Sequence, residues 1–438
     1  MYGLTNISYI FIPFSFSKKA DFIPLAEAFS NSSAWEQVHD ELIYMLKYVS
    51  DKIDSRHKET CQCFHFQLSD SARSRFGLAS ENDWFSTATH PFRGQEENIS
   101  FRILSIELYF FRTTVGIIAF KIHLEKDDPL WVSNAQYHLK KVSREKLFSG
   151  NMSVSTTMLD IAKELLSEFS AISEATFFYY ANPSTERANV LTYLVVKPQA
   201  DYKKELFYLR RCYSDGFIYI ENNKLDENEI FTPSKDTIWG ISPEAAVCLV
   251  CPEYGCADFL RGTFYKNFNA QYLFMYVLLL HQKYVLYMFL TKIGVGTYND
   301  LETLEAYRHE LYEFETDFVF SCVTEVPQYQ NLYDRMTEAF SLKKMYEDVH
   351  EPLISLGEVR REAAENSQKK RDNNVNKALL MLSVLSFFSA LVDSFDFVDS
   401  FFGLFLNETC VRIVQVCCIA GIGLIVFFVF KNLFDSRK

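Results

Sequence analysis

Asn373, Asn376, Ser383, Ser386 and Asp393 sit in apolar sequence at intervals that, with Leu379 and Ala390, bring them to one side of a helix turning about 100° per residue. Larger apolar residues such as Leu380, Leu385, Phe388 and Leu391 take most of the remaining surface. Amides and hydroxyls held in hydrocarbon have two uses. They face water inside a bundle, where several copies would enclose a pore, or they bond their own backbone and a close-packed neighbour. Asp393, Asp396 and Asp399 then follow three apart. On a helix that continues they share a face, and symmetry would multiply each into an outer ring of carboxylates that gathers cations. On a loop they are a hydrated acidic run.

Other residues with chemical potential lie earlier. "CLVCPEYGC" offers Cys248, Cys251 and Cys256, half of a zinc site, but no fourth ligand is evident and the apolar setting suits buried free thiols. Trp84 in "ENDWFSTATHPFRG" and Trp239 in "DTIWGISPEAA" occupy turn-rich sequence. There a ring could stack on a base with Arg93 near a phosphate, although a core tryptophan is the plainer reading of each. The nine histidines are dispersed, and no phosphate-binding glycine loop, paired-histidine zinc helix or serine elbow is found. No catalytic set emerges, so an enzyme is not expected.

The elements that carry the stripe are membrane spans by their composition. Residues 378–392 and 413–430 contain no charge, and each run approaches the roughly 20 residues that a spanning helix needs, the first if its helix runs on from Asn373 or Asn376. The expected layout is a first span at about 376–393, an outer loop at 394–411 and a second span at about 412–430. Lys369, Lys370, Arg371 and Lys377 precede the first span and Lys431, Arg437 and Lys438 follow the second, whereas the connection holds the three aspartates and Glu408, with Arg412 at its far edge. The positive-inside rule then places both termini in the cytoplasm of a multi-pass inner (plasma) membrane protein. Asn407-Glu408-Thr409 would accept a glycan only on a eukaryotic exterior. Ala420, Gly421 and Gly423 suggest close helix contact in the second span.

Residues 1–300 read as a cytosolic α+β sensor domain. The strongest strand signal is Phe101 to Leu124, a hairpin about Arg112-Thr113-Thr114. Further strands are expected at Ile7 to Phe16, "ANVLTYLVVKP" and "GFIYIE", and helices at Ala34 to Lys52 and Met158 to Phe169. "YLFMYVLLLHQKYVLYMFL" from Tyr272 is long enough to span, but His281 and Lys283 fall in its middle, which favours a buried helix of the sheet domain. A helical stalk follows over 301–375: one helix stops at Pro327, a second runs from about Gln328 to His350, and Pro352 sits in the first turn of a third that continues into the span. About forty residues at 1.5 Å each make that last rod roughly 60 Å long. The N-terminus lacks the basic leader and cleavage site of a secretory signal, and the ten scattered cysteines suit a reducing compartment. A net charge of -12 argues against nonspecific binding to nucleic acid or to an anionic lipid surface.

A cytoplasmic α/β domain, a stalk helix continuous with a first span, a short outward loop, a second span and a basic tail resemble the plan of CorA-type cation channels. The resemblance covers roughly Leu301 to Lys438. It implies a homopentamer, gated through the cytosolic domain, with Asn373, Asn376, Ser383 and Ser386 lining the pore. The family's Gly-Met-Asn after the first span is missing from "VDSFDFVDSFFGLFLNE". Mg²⁺ selectivity therefore does not carry over, because an acidic vestibule attracts many cations without choosing among them. A divergent tail under an aromatic-rich domain is also similar to the CorA-like proteins beside type III CRISPR systems. That resemblance implies an antiviral effector triggered by a nucleotide second messenger, S-adenosylmethionine joined to AMP. A membrane-anchored ligand sensor that conducts nothing is the other alternative. Divalent cation and nucleotide are thus the two ligands that resemblance brings forward, with no binding residues assigned to either.

Overall fold

"ISYIFIPF" (residues 7–14) and "LSIELYFF" (residues 104–111) are nearly continuous apolar runs, the pattern of strands buried on both faces. The computed structural model describes residues 3–17, 22–39, 41–53, 61–73, 78, 83–149, 156–170, 172–220, 229–254, 256–294, 301–402, 407, 409–410, 412–414, 416–417, 419–421 and 423–424. Among them twelve strands form one sheet. They are β1 (Asn6–Ser15), β2 (Trp35–Gln37), β3 (Cys63–Leu68), β4 (Phe85–Phe92), β5 (Gln95–Phe111), β6 (Val115–Leu124), β7 (Phe148–Ser149), β8 (Thr176–Phe177), β9 (Asn189–Val195), β10 (Ile230–Phe231), β11 (Thr237–Ile241) and β12 (Ala245–Val250). The order is β10-β11-β12-β9-β1-β6-β5-β3-β2, with β4 on β5, β7 on β4 and β8 on β1. β9 and β12 run parallel, whereas the central β9-β1-β6-β5-β3 ladder is antiparallel.

Both faces are covered. Ile7, Tyr9 and Phe11 of β1 point to one core and Ile10, Ile12 and Phe14 to the other, and all six are fully buried. Each such side chain contributes about 1.5–3 kcal/mol of apolar burial. The second core lies under the helices Phe22–Ser30, Pro129–Leu139, Met158–Ser167 and Lys203–Leu209. Two of them start on side-chain caps: Asp128 accepts from the Trp131 amide, and Thr157 with Asp160 closes a reciprocal box. The β5–β6 turn brings Thr114 to a φ of 67°, and Gly116 beyond it is paired with Phe14. A Cβ on Gly116 would lie 2.1 Å from the Phe14 ring, so only glycine fits there.

The first core is organised by the helix Leu273–Gly294, entered through π-helical turns at Phe259–Phe264 and Phe268–Tyr272. The run Phe259–Ile293 is apolar and long enough to cross a membrane, yet 89% of its apolar window is buried against the rest of the chain. Three consecutive polar residues at its middle each reach a partner. His281 Nε2 meets Thr113 Oγ1 at 2.7 Å, Gln282 Nε2 donates to the Phe318 carbonyl at 2.6 Å, and Lys283 Nζ donates to the Pro243 carbonyl at 2.9 Å. Tyr276 and Tyr284 donate to the Val190 carbonyl and to Asn189 Oδ1. A hydrocarbon environment would satisfy none of these groups.

Several expectations are corrected by packing. Residues 34–52 are not one helix: Trp35–Gln37 pairs with β3 at the sheet edge and only Lys47–Ser50 is helical, because the edge takes up backbone bonds that the apolar spacing left undecided. "GFIYIE" forms no strand over its described residues 216–220, and Ile218 and Ile220 are exposed. Helices Leu301–Phe318 and Pro327–Ala339 are not stalk, since Leu311, Phe314, Leu332 and Met336 complete the first core. The chain divides into a unit of Met1–Ser355 and one of Leu356–Lys438, so the boundary lies well past 300. The helix break falls at Ser341, which adopts a φ of 55°, rather than at Pro352. A single 61-residue helix, Leu342–Phe402, passes through Pro352, which removes one ladder bond to the Asp348 carbonyl.

One charged cluster interrupts the first core. Glu107 accepts from Ser105 Oγ and Tyr109 Oη, both at 2.9 Å, with His65 Nε2 at 3.4 Å. Burial alone would raise the Glu107 carboxyl. The bond and charge of His65, with Lys121 and Tyr109, outweigh it and hold the group at about 2. A carboxylate depressed in this way stabilises the fold above its ordinary 4.5, and that contribution is lost as pH falls toward about 2. Glu107→Gln should cost roughly 3–5 kcal/mol in denaturant unfolding, because His65 and Lys121 lose their buried counter-charge. The variant should also lack this component of the acid-stability slope.

Candidate functional site

All of the predicted lining residues and acidic residues fall on the helix Leu342–Phe402, so one element carries the whole stripe. Asn373, Asn376, Ser383, Ser386, Asp393 and Asp396 are exposed. The backbone stays helical through Asp399 to Phe402, past the expected end of the span at 393, and the Asp399 side chain lies outside the described residues. The three aspartates therefore do lie on a helix and not on a loop. Ser383 Oγ donates to the Leu379 carbonyl at 2.8 Å, so this hydroxyl has its hydrogen bonded within its own helix.

The surface around the stripe is apolar and unburied. Leu379, Met381, Leu382, Leu385 and Val392 are 55–69% exposed, with Phe397 beyond them at 61%. Described residues between Arg412 and Leu424 are helical, with Ile413, Val416 and Leu424 exposed and open space beside Gly421 and Gly423. The remainder of the expected second span, 425–430, and the basic residues Lys431, Arg437 and Lys438 lie outside the described residues.

In the first unit a cavity of about 420 Å³ opens between the core helix, helix Leu301–Phe318 and the β5–β6 turn. Met288, Phe289, Phe314 and Phe318 form its apolar wall, and Arg112, Glu310, Glu313 and Asp317 its polar one. A groove of about 610 Å³ shares Thr114, Met288 and Glu310 with it and adds Lys292, Glu302 and Tyr307. Asp317 pairs with Lys52 at 2.7 Å and Glu310 with Lys292 at 3.6 Å. Carboxylates thus outnumber cations along both openings, which suits a cationic or neutral aromatic ligand better than a phosphate. Beneath the cavity, Thr113 holds His281, whose ring stacks 3.7 Å from Phe111 and meets Phe318 edge-on at 4.3 Å. Burial keeps this imidazole far below its ordinary range and therefore neutral, with Nδ1 buried and unpartnered.

No sequence signal marked this cavity, because its wall joins residues about 200 positions apart. The expected base-stacking set comes apart. Trp239 is buried beside Phe268 in the first core, Trp84 is half-exposed under the Arg102 guanidinium, and Arg93 pairs with Asp128 at 3.6 Å. Cys248 and Cys251 are buried free thiols while Cys256 is exposed, and burial pushes the Cys248 thiol far up. Among the described residues these cysteines belong to no cluster of three metal-ligand side chains. Comparison of the chain with protein-family models, curated proteins and solved structures finds no match.

Phe318→Ala should cost about 3–5 kcal/mol in denaturant unfolding, since it removes a ring buried between His281 and Phe111. Water reaching the enlarged cavity should raise the His281 titration toward its ordinary value, read by histidine NMR. An unshifted His281 would mean that other groups keep it dry.

Proposed function

We propose that the chain is a two-span membrane protein of CorA-like plan. It assembles as a homo-oligomer, with five copies expected, and conducts cations along its first span under control of the sheet domain. One observation carries this reading: over residues 375–392 a continuous helix keeps Val375, Leu379, Met381, Leu382, Leu385 and Val392 more than half exposed. Patches of this kind on a soluble surface mark a membrane or a partner. A charge-free stretch with basic residues before it and acidic residues after it favours the membrane. Within an oligomer, Asn373, Asn376 and Ser386 would replace part of a cation's hydration by amide and hydroxyl oxygens, and rings of Asp393 and Asp396 would raise its local concentration. Without Gly-Met-Asn the pore has no specific Mg²⁺ site, so weak selection among cations follows.

A second reading, a membrane-tethered sensor without a pore, draws on the Ser383 bond to Leu379, because a self-bonded hydroxyl suits close helix packing as well as water. Purified full-length protein in liposomes separates the two. A conducting oligomer should release a trapped cation, and Asn376→Leu together with Ser386→Leu should slow release by about tenfold, the factor that ~1.4 kcal/mol of added barrier gives. Tight liposomes containing a stable oligomer would favour the tethered sensor, and a chain soluble without detergent would overturn both readings.

A further inference from the structure

His90 and His138 are 48 positions apart and carry no motif spacing, yet the fold brings them together. His90 lies on β4, His138 in the last turn of the helix Pro129–Leu139, and Glu145 just beyond it. Their ligand atoms lie within 4.8 Å of one another, the one such group among the described residues. His90 Nε2 and Glu145 Oε1 are 2.8 Å apart, and the two imidazoles stack with centroids 3.6 Å apart at 22°. His90 and Glu145 retain 16% and 11% exposure, enough to admit an ion and its water.

The stacked arrangement satisfies His90 but not His138. Among the described residues the His138 ring nitrogens make no hydrogen bond, and the ring's other neighbour is the edge of Tyr137. A half-buried imidazole facing another imidazole and a carboxylate, with its own polar atoms unpaired, is an arrangement that a shared cation completes.

We propose that His90, His138 and Glu145 bind a borderline transition-metal dication such as Zn²⁺, through two imidazole nitrogens and one carboxylate oxygen, with water in the remaining position. Two nitrogens and a single carboxylate suit zinc and disfavour Mg²⁺ or Ca²⁺, which require more oxygen ligands. Bonds of about 2.0–2.1 Å at tetrahedral angles bring ligand atoms to about 3.3 Å from one another. Closing from the present spacing asks for side-chain rotation: the rings turn out of their stack and Glu145 exchanges its bond to His90 for one to the ion. Lys141 is the neighbouring charge that opposes binding, and its ammonium lies over the Tyr137 ring at 3.6 Å, beside the site. The site is independent of whether the C-terminal helices conduct.

Chelator-treated full-length protein in detergent, titrated with Zn²⁺ by calorimetry, should bind one ion per chain. His138→Gln and Glu145→Gln should each weaken binding by on the order of a hundredfold or more, since losing even a residue that only hydrogen-bonds a metal ligand costs roughly 10–100-fold. Lys141→Met should tighten it. Co²⁺ in place of Zn²⁺ should give visible bands without the near-ultraviolet thiolate transitions that a cysteine site would show. On the unsubstituted chain, Zn²⁺ should protect His90 and His138 from imidazole acylation mapped by mass spectrometry, a readout that survives misfolding of any variant. Absence of micromolar binding, thiolate bands, undiminished affinity in a folded variant, or protection confined to other histidines would each overturn the site.

Discussion

The first unit depends on burying a 22-residue helix, Leu273–Gly294, that is hydrophobic nearly all round. A helix of that texture needs an enclosure on every side. The sheet supplies one wall through Tyr9, Phe11, Ile117 and Tyr193, and the helices Leu301–Phe318 and Pro327–Ala339 supply the others. Three consecutive polar residues, His281, Gln282 and Lys283, fix its rotation and register, because each reaches a different element. A one-residue slip would leave all three buried without partners, which is why this helix belongs to the domain and not to a membrane.

The same enclosure explains why the candidate cavity sits where it does. Helix Leu301–Phe318 packs on the core helix through Leu311, Phe314 and Phe318, while its acidic side, Glu310, Glu313 and Asp317, turns toward the β5–β6 turn. Close packing gives way there to an opening with an aromatic floor and a charged rim. Gly116 and the left-handed Thr114 hold the turn close enough to β1 to form the far wall.

The second unit poses the opposite problem. From Leu356 onward apolar side chains of the helix such as Val375, Leu379, Met381, Leu382 and Leu385 stand exposed beside exposed Asn376, Ser383, Ser386 and Asp393. An exposed apolar surface of this extent gains nothing from water, and it is the observation on which the proposed membrane assembly rests. The Glu107 cluster in the sheet and the stripe on this helix follow one rule: a polar group inside an apolar setting persists only where partners or water reach it.

Much of this could be read along the chain. β1, the β5–β6 hairpin with its turn at 112–114 and the buried nature of the helix after Tyr272 follow from local periodicity and from the two polar residues, His281 and Lys283, in an apolar run. So does the exposed apolar helix that carries Asn376 and Asp393, since a charge-free stretch needs no tertiary context to be recognised. Residues 34–52, the break at Ser341 and the boundary after Ser355 were decided by packing: strand edges and core contacts override propensities that differ by only about a kcal/mol. The cavity over His281 and the meeting of His90, His138 and Glu145 belong wholly to the tertiary structure. Their members come from separate strands, helices and turns, and no spacing along a chain encodes a distance across a sheet.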